Sequence, residues 1–153
     1  MVDVVSQETR SRMMAGITGK DTRPEVQIRQ GLHARGFRFR LHQKGLPGRP
    51  DLVFASRQSV IFVNGCFWHG HRCHLFKWPS TRREWWRDKI NGTRRRDRSA
   101  IKELTEDGWR VLTIWECALK GKTRKPYESV IDQAARWLDG RKQVHEITGR
   151  KLK

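Results

Sequence analysis

Leu46-Pro-Gly-Arg-Pro-Asp51-Leu-Val-Phe-Ala55, then Ser59-Val-Ile-Phe-Val-Asn64, then Gly65-Cys-Phe-Trp-His69-Gly-His71-Arg-Cys73 are the stretches that decide the fold. Two prolines and a glycine exclude regular structure between Leu46 and Pro50. The segments Asp51 to Ala55 and Ser59 to Asn64 are short and rich in Val, Ile and Phe, with the polar Ser56 to Gln58 between them. They read as two strands joined by a turn. Gly65 to Pro79 has no period; aromatic, His and Cys residues crowd together there, and the stretch reads as an irregular loop.

Towards the N-terminus, Thr22-Arg-Pro-Glu25 has the form of a capping box with Pro just inside the helix start. Val26, Ile28 and Leu32 then share a helical face, and Gly36 can end the helix. Phe37, Phe39 and Leu41 alternate with Arg38, Arg40 and His42, the period of a half-buried strand. Residues 6–17 read as a short basic helix. Towards the C-terminus, Thr81-Arg-Arg-Glu84 has the form of a second capping box, opening a long helix towards Asp107 that Gly92 interrupts. Trp109 to Trp115 reads as a buried strand and Tyr127 to Leu138 as a closing helix. Residues 140–153 are basic and lack a hydrophobic period, which reads as a disordered tail. The sum is a single α/β domain over residues 1–139, a small mixed sheet flanked by helices.

Lys and Arg number 33 against 16 Asp and Glu, a formal net charge of +17. An excess of this size opposes compaction unless a polyanion neutralises it, and nucleic acid is the default partner. No apolar run approaches the ~18 residues of a spanning helix, and no signal peptide opens the chain. A cytoplasmic protein of the bacterial nucleoid, with no membrane partner, is the expectation. The three cysteines, Cys66, Cys73 and Cys117, are an odd number, which favours thiolates or metal over a disulfide framework.

Cys66-x4-His71-x-Cys73 with Cys117 offers three thiolates and an imidazole, a donor set for tetrahedral zinc. Three unrelated buried cysteines is the competing reading, and His69 and His74 are alternative imidazoles. Asp51 opens one strand across a turn from the far end of the next, where restriction-type nucleases hold Mg²⁺. The acid and Lys that usually follow are absent: Val63 and Gly65 stand there. His69 is the candidate replacement, since an imidazole near neutral pKa can take the proton of an attacking water. A zinc ligand or a surface histidine are its alternatives. Asp97 shares a helical face with Ile90, Ile101 and Leu104, which would turn an acid inward. A salt bridge to Arg94 or Arg98, or a break at Gly92, would turn it away. Glu25 is explained by its cap alone.

Phe67-Trp68 and Trp85-Trp86 place large aromatics on or beside a basic loop, where they suit wedging between base pairs. Core packing competes, most strongly for Trp86, which falls on the helical face of Ile90. Trp109, Trp115 and Trp137 belong to the core. Arg10–Arg12, Arg82–Arg83 and Arg94–Arg98 are candidate phosphate contacts.

Taken together the chain resembles the very short patch repair endonuclease (Vsr) family. The resemblance runs in order over about residues 5–140. It is carried by Thr9-Arg-Ser-x-x-Met14, Asp21-Thr22, Leu46-Pro-Gly-Arg-Pro-Asp51, Val60-Ile-Phe62, Gly65-Cys-Phe-Trp-His69-x-His71, Cys73, Asp97-Arg98, Gly108-Trp-Arg-Val-Leu112 and Trp115-Glu-Cys-Ala-Leu119. It implies a restriction-endonuclease-like core with an added structural zinc site. It also implies a monomeric enzyme that nicks double-stranded DNA 5′ to the T of a T·G mismatch left by deamination of 5-methylcytosine. By position, Asp51 and the main-chain carbonyl of Val63 would hold Mg²⁺, and His69 would be the general base. Glu25 and Asp97 would orient it or its water, while Cys66, His71, Cys73 and Cys117 would hold Zn²⁺. Phe67, Trp68 and Trp86 would wedge beside the mismatch, with Met14 bracing the opposite groove. Mismatch-repair proteins are candidate partners. Val63 and Asn64 stand where some members carry Thr and His. A main-chain ligand tolerates Val63, but Asn64 cannot carry a positive charge, which implies slower or altered catalysis. Two rivals remain: a restriction-like nuclease cutting paired duplex, and a zinc-stabilised DNA-binding module without catalysis.

Overall fold

The structure, a computed structural model, describes residues 22–151. The expected helix at 6–17, with Met14, lies outside those residues. Strands β1 (Arg40–Leu41), β2 (Leu52–Phe54), β3 (Ser59–Asn64), β4 (Arg110–Trp115) and β5 (Val144–Ile147) form one sheet in sequence order. The first three pair antiparallel, and β3–β4 and β4–β5 pair parallel. Each parallel step is made through a helix, α2 (Arg83–Glu106) and then α3 (Tyr127–Asp139), while α1 (Arg23–Ala34) precedes the sheet.

The central strands are apolar on both faces because both faces are covered. Leu52, Phe54, Ile61, Val63, Leu112 and Ile114 point to one side, against Ile28 and Leu32 of α1 and Ile131, Ala134 and Trp137 of α3. Val53, Val60 and Val111 point to the other, against Leu104 and Ile101 of α2. The period of two along each strand thus divides one hydrophobic run between two cores.

The strand pair Leu52–Phe54 and Ser59–Asn64 and the closing helix follow the sequence reading to within a residue or so. Four details differ. The half-buried strand expected over Phe37 to His42 shrinks to Arg40–Leu41, because Phe37 turns into the core behind α1 while Leu41 stays exposed. Thr22 caps α1 by accepting the Glu25 N–H, whereas α2 starts one residue late, at Arg83, so Arg82 stands at the cap and Thr81 cannot reach. Gly92 does not interrupt α2, whose buried stripe of Ile90, Gly92, Ala100 and Leu104 outweighs the ~1 kcal/mol cost of a helical glycine. The basic segment 140–153, read as a disordered tail, instead supplies β5. Only Ile147 of that strand is buried, so its pattern is too faint to register as periodic.

Candidate functional site

The parallel register of β3 and β4 ends with Asn64 opposite Trp115. Cys66 and Cys117 each lie two residues beyond that pair, so the register alone brings them together. His71 and Cys73 return to the same point through the loop, where the His71 N–H donates to the Cys66 carbonyl at 2.9 Å. Ligand atoms of Cys66, His71, Cys73 and Cys117 all lie within 4.8 Å of one another. His71 Nδ1 is 3.5 Å from Cys66 Sγ and 3.7 Å from Cys117 Sγ, and the ring stacks on Trp115 at 4.1 Å.

Backbone N–H groups are aimed at two of the sulfurs, and the Cys117 thiol ionises most readily of the three. The Cys117 N–H donates to Cys66 Sγ and the Gly149 N–H to Cys117 Sγ, both at 3.3 Å. A hydrogen bond from Cys66 holds the Cys117 thiol down to about 4, against burial and with help from His71 and Gly149. The same bond, with burial, pushes Cys66 well up. Buried sulfurs that already receive backbone N–H groups, beside one imidazole, fit a tetrahedral thiolate-loving cation. His74 stays outside the group, its Nδ1 3.3 Å from Thr123 Oγ1.

A second group forms where β2 leaves the sheet. Pairing of β2 with β3 stops at Leu52–Ile61, and the Asp51 carboxylate takes up the next free donor, the Val63 N–H, at 2.7 Å. Glu25 is almost wholly buried (6% exposed). Its backbone N–H makes the cap by donating to Thr22 Oγ1. His42 Nε2 lies 3.5 Å from Glu25 Oε2 and His42 Nδ1 lies 3.7 Å from Asp51 Oδ1. Glu25, His42 and Asp51 thus form the second cluster among the described residues able to hold a cation. Burial, then the neighbouring Glu25 charge, raise Asp51 to about 7 against the pull of the Val63 N–H. Carboxylates so desolvated suit a divalent cation that neutralises them. Sequence reasoning missed His42: in the alternation it was the outward polar residue, and no local signal marks it.

His69 and Asp97 meet as well. The zinc-type loop carries His69 to α2, where Asp97 Oδ2 lies 2.6 Å from its Nδ1. A carboxylate accepts, so Nδ1 donates and the lone pair of the neutral ring falls on Nε2, free to take a proton. Arg94, one turn earlier on α2, grips the same loop through its Nε and Nη2, both donating to the Gly70 carbonyl. Gly70 has φ +60, and a Cβ there would meet Arg94 and Ile90. Arg94 therefore leaves the set of candidate phosphate contacts; Arg95, Arg96 and Arg98 remain exposed.

Phe67, Trp68 and Trp86 form one aromatic cluster, with centroids 5.2 to 5.9 Å apart. Trp86 is half-buried in it and takes no part in the main core. Trp115 and Trp137 are buried, and Trp109 packs partly buried against the α2 side. Glu25, Asp51, Asn64, Trp68, His69 and Asp97 all line one cleft of about 740 Å³. Asn64 is itself buried, at the mouth end of β3.

A desolvated acidic pair, an Asp-oriented imidazole and a strongly basic chain are what phosphodiester hydrolysis demands, and they place this protein among the nucleases. The family model described as DNA mismatch endonuclease Vsr matches residues 2–75. The DNA mismatch endonuclease Vsr of Escherichia coli (strain K12) is 44% identical over 140 residues, 92% of this chain and 90% of that protein. The type II nicking enzyme V.XorIIP of Xanthomonas oryzae pv. oryzae is 48% identical over 119 residues, 78% of this chain and 88% of that enzyme. V.NmeAIP, a type II nicking enzyme of Neisseria meningitidis serogroup A, is 38% identical over 122 residues, 80% and 87% of the two chains. The chain belongs to the Vsr DNA mismatch endonuclease family and is a DNA-nicking endonuclease. No helix among the described residues is long and apolar enough to cross a membrane.

Proposed function

We propose that this enzyme nicks the T-containing strand of double-stranded DNA 5′ to a T·G mismatch, of the kind left by deamination of 5-methylcytosine. The observation that carries the reading is the His69–Asp97 pair lining the same cleft as Asp51 and Glu25. Asp51, with the Val63 carbonyl, holds a divalent cation, Mg²⁺ in the first instance. When bound, the cation stabilises charge on the phosphate. Glu25 lies beside Asp51 and orients what binds there. His69 Nε2 takes the proton of the attacking water while Asp97 stabilises the resulting imidazolium through Nδ1. Asn64 lies in the same cleft as a neutral donor, so the leaving oxygen is steadied by hydrogen bonding without a full positive charge. Cys66, His71, Cys73 and Cys117 hold Zn²⁺, which fixes the loop that carries His69.

Phe67, Trp68 and Trp86 are the wedge that enters the base stack beside the mismatch. Unstacking costs a few kcal/mol per step, least where pairing is already poor, which is the source of mismatch preference. Met14, on the N-terminal segment, braces the opposite groove. The enzyme works as a monomer in the bacterial nucleoid, within reach of mismatch-repair proteins.

The test uses a strand-labelled duplex with one T·G mismatch beside its fully paired twin, with and without Mg²⁺. Cutting of the T strand alone, dependent on the cation and lost in Asp51→Ala, is the expected result. Equal cutting of the paired duplex would leave a restriction-like nuclease. Binding without cutting, unchanged in Asp51→Ala, would leave a binding module.

A further inference from the structure

We infer that His42 is a direct ligand of the divalent cation at the Glu25–Asp51 corner, making this an N/O site that binds a first-row transition dication such as Mn²⁺ more tightly than the Mg²⁺ proposed to support nicking. The inference rests on the reading of Asp51 as a cation ligand and adds to it an assignment for His42.

His42 follows β1, and its N–H donates to the Asp51 carbonyl at 3.1 Å. The two residues are therefore fixed against each other by the backbone. At that point the chain adopts φ +46, a left-handed conformation that costs a non-glycine residue about 1 kcal/mol. Core packing does not explain the turn, since the preceding Leu41 is 41% exposed. The turn lays the imidazole, only 20% exposed, against both carboxylates.

The distances suit a shared ion better than a direct ion pair. Charge-assisted N–H···O bonds close to roughly 2.7–2.9 Å. His42 Nε2 stands 3.5 Å from Glu25 Oε2 and Nδ1 stands 3.7 Å from Asp51 Oδ1, and one donor atom from each of the three residues lies within 4.8 Å of the other two. Donor atoms each ~2.1 Å from one ion lie about 3 to 3.5 Å apart. An all-oxygen site suits Mg²⁺, but an imidazole nitrogen raises affinity along the transition series and adds little for Mg²⁺.

Mn²⁺ is the probe. The full chain, its cysteine cluster filled with Zn²⁺, is titrated with Mn²⁺ by electron paramagnetic resonance, and the bound ion is examined for nitrogen coupling by pulsed methods. One tight Mn²⁺ is expected, with histidine nitrogen coupling confirmed by ¹⁵N-histidine labelling. The coupling should vanish in His42→Gln, with Mn²⁺ binding weakened about 10- to 100-fold and Mg²⁺ binding little changed. It should persist in His69→Gln. Should His42→Gln fail to fold, the labelled wild-type spectrum and the His69→Gln control still decide. Bound Mn²⁺ without nitrogen coupling, lost in Asp51→Asn, would overturn the role of His42 and leave Asp51 as ligand. Mn²⁺ binding indifferent to Asp51→Asn, or none at all, would overturn both.

Discussion

The two clusters of ligand-type side chains are built on opposite plans. Cys66, His71 and Cys73 come from one loop and need only Cys117 from the neighbouring strand end. Their donors are soft, and backbone N–H groups are already aimed at two sulfurs. Glu25, His42 and Asp51 come from a helix, a strand end and a loop; their donors are hard or borderline, and the two carboxylate residues line a cleft. The first plan suits a fastener, closed and made largely of local sequence. The second suits a reaction site, assembled by the fold from distant segments beside a cleft. The loop between Cys66 and Cys73 links them, because it also carries His69.

Removing a fastener should cost structure first and activity as a consequence. In Cys117→Ser the zinc content of the purified protein should fall well below one per chain, and stability by ~3 to 5 kcal/mol. Nicking should disappear with the loop. Asp51→Asn should do the reverse, abolishing nicking with zinc retained. A full zinc content in Cys117→Ser, by metal analysis of the folded fraction, would end the distinction between the two clusters.

The contrast in plan also explains what could be read in advance. The fastener lies within Cys66-Phe-Trp-His-Gly-His-Arg-Cys73, and its fourth member follows from cysteine counting. The strand pair and Asp51 are marked by Leu46-Pro-Gly-Arg-Pro and by runs of β-branched residues. Asp97 was legible only on condition that α2 is continuous through Gly92, a question of tertiary packing. His42 was not legible, since period two assigns it to solvent and only the left-handed turn after β1 brings it back to Asp51. β5 was missed because one buried residue, Ile147, makes no pattern, although the segment goes on to place Gly149 on Cys117.

The open site should carry a pH signature that the fastener lacks. Without a divalent cation, Asp51 is raised from an ordinary 3.8 to about 7 in the folded protein, chiefly by burial. Below the lower value both states hold the proton and nothing changes. Between the two values the unfolded chain ionises while the folded one does not, so stability falls as pH rises. Above about 7 both are ionised and the loss is complete. Relative to Asp51→Asn, the cation-free wild type should lose roughly 1–3 kcal/mol between pH 4 and pH 8, read from denaturant titrations. Saturating divalent cation should remove most of that loss by neutralising the ionised pair. Parallel pH profiles for the wild type and Asp51→Asn would mean that Asp51 is not desolvated as described.

The smallest effect tests the link between the plans. Gly70 sits at φ +60, where alanine costs about 1 kcal/mol, and its Cβ would lie 2.6 Å from Ile90 Cγ2 and against the Arg94 guanidinium. The carbonyl of the same residue is what Arg94 holds. Gly70→Ala should therefore lower stability by ~1 to 2 kcal/mol and kcat several-fold, with KM for DNA nearly unchanged and zinc retained. The loss would arise from a tilted His69 rather than from weaker binding. Combining it with Arg94→Ala should add less than the sum of the two changes, because either one alone already frees the loop from α2. Additive losses in kcat would show that helix and loop act independently. The fastener would then hold the loop by itself, and α2 would contribute only Asp97.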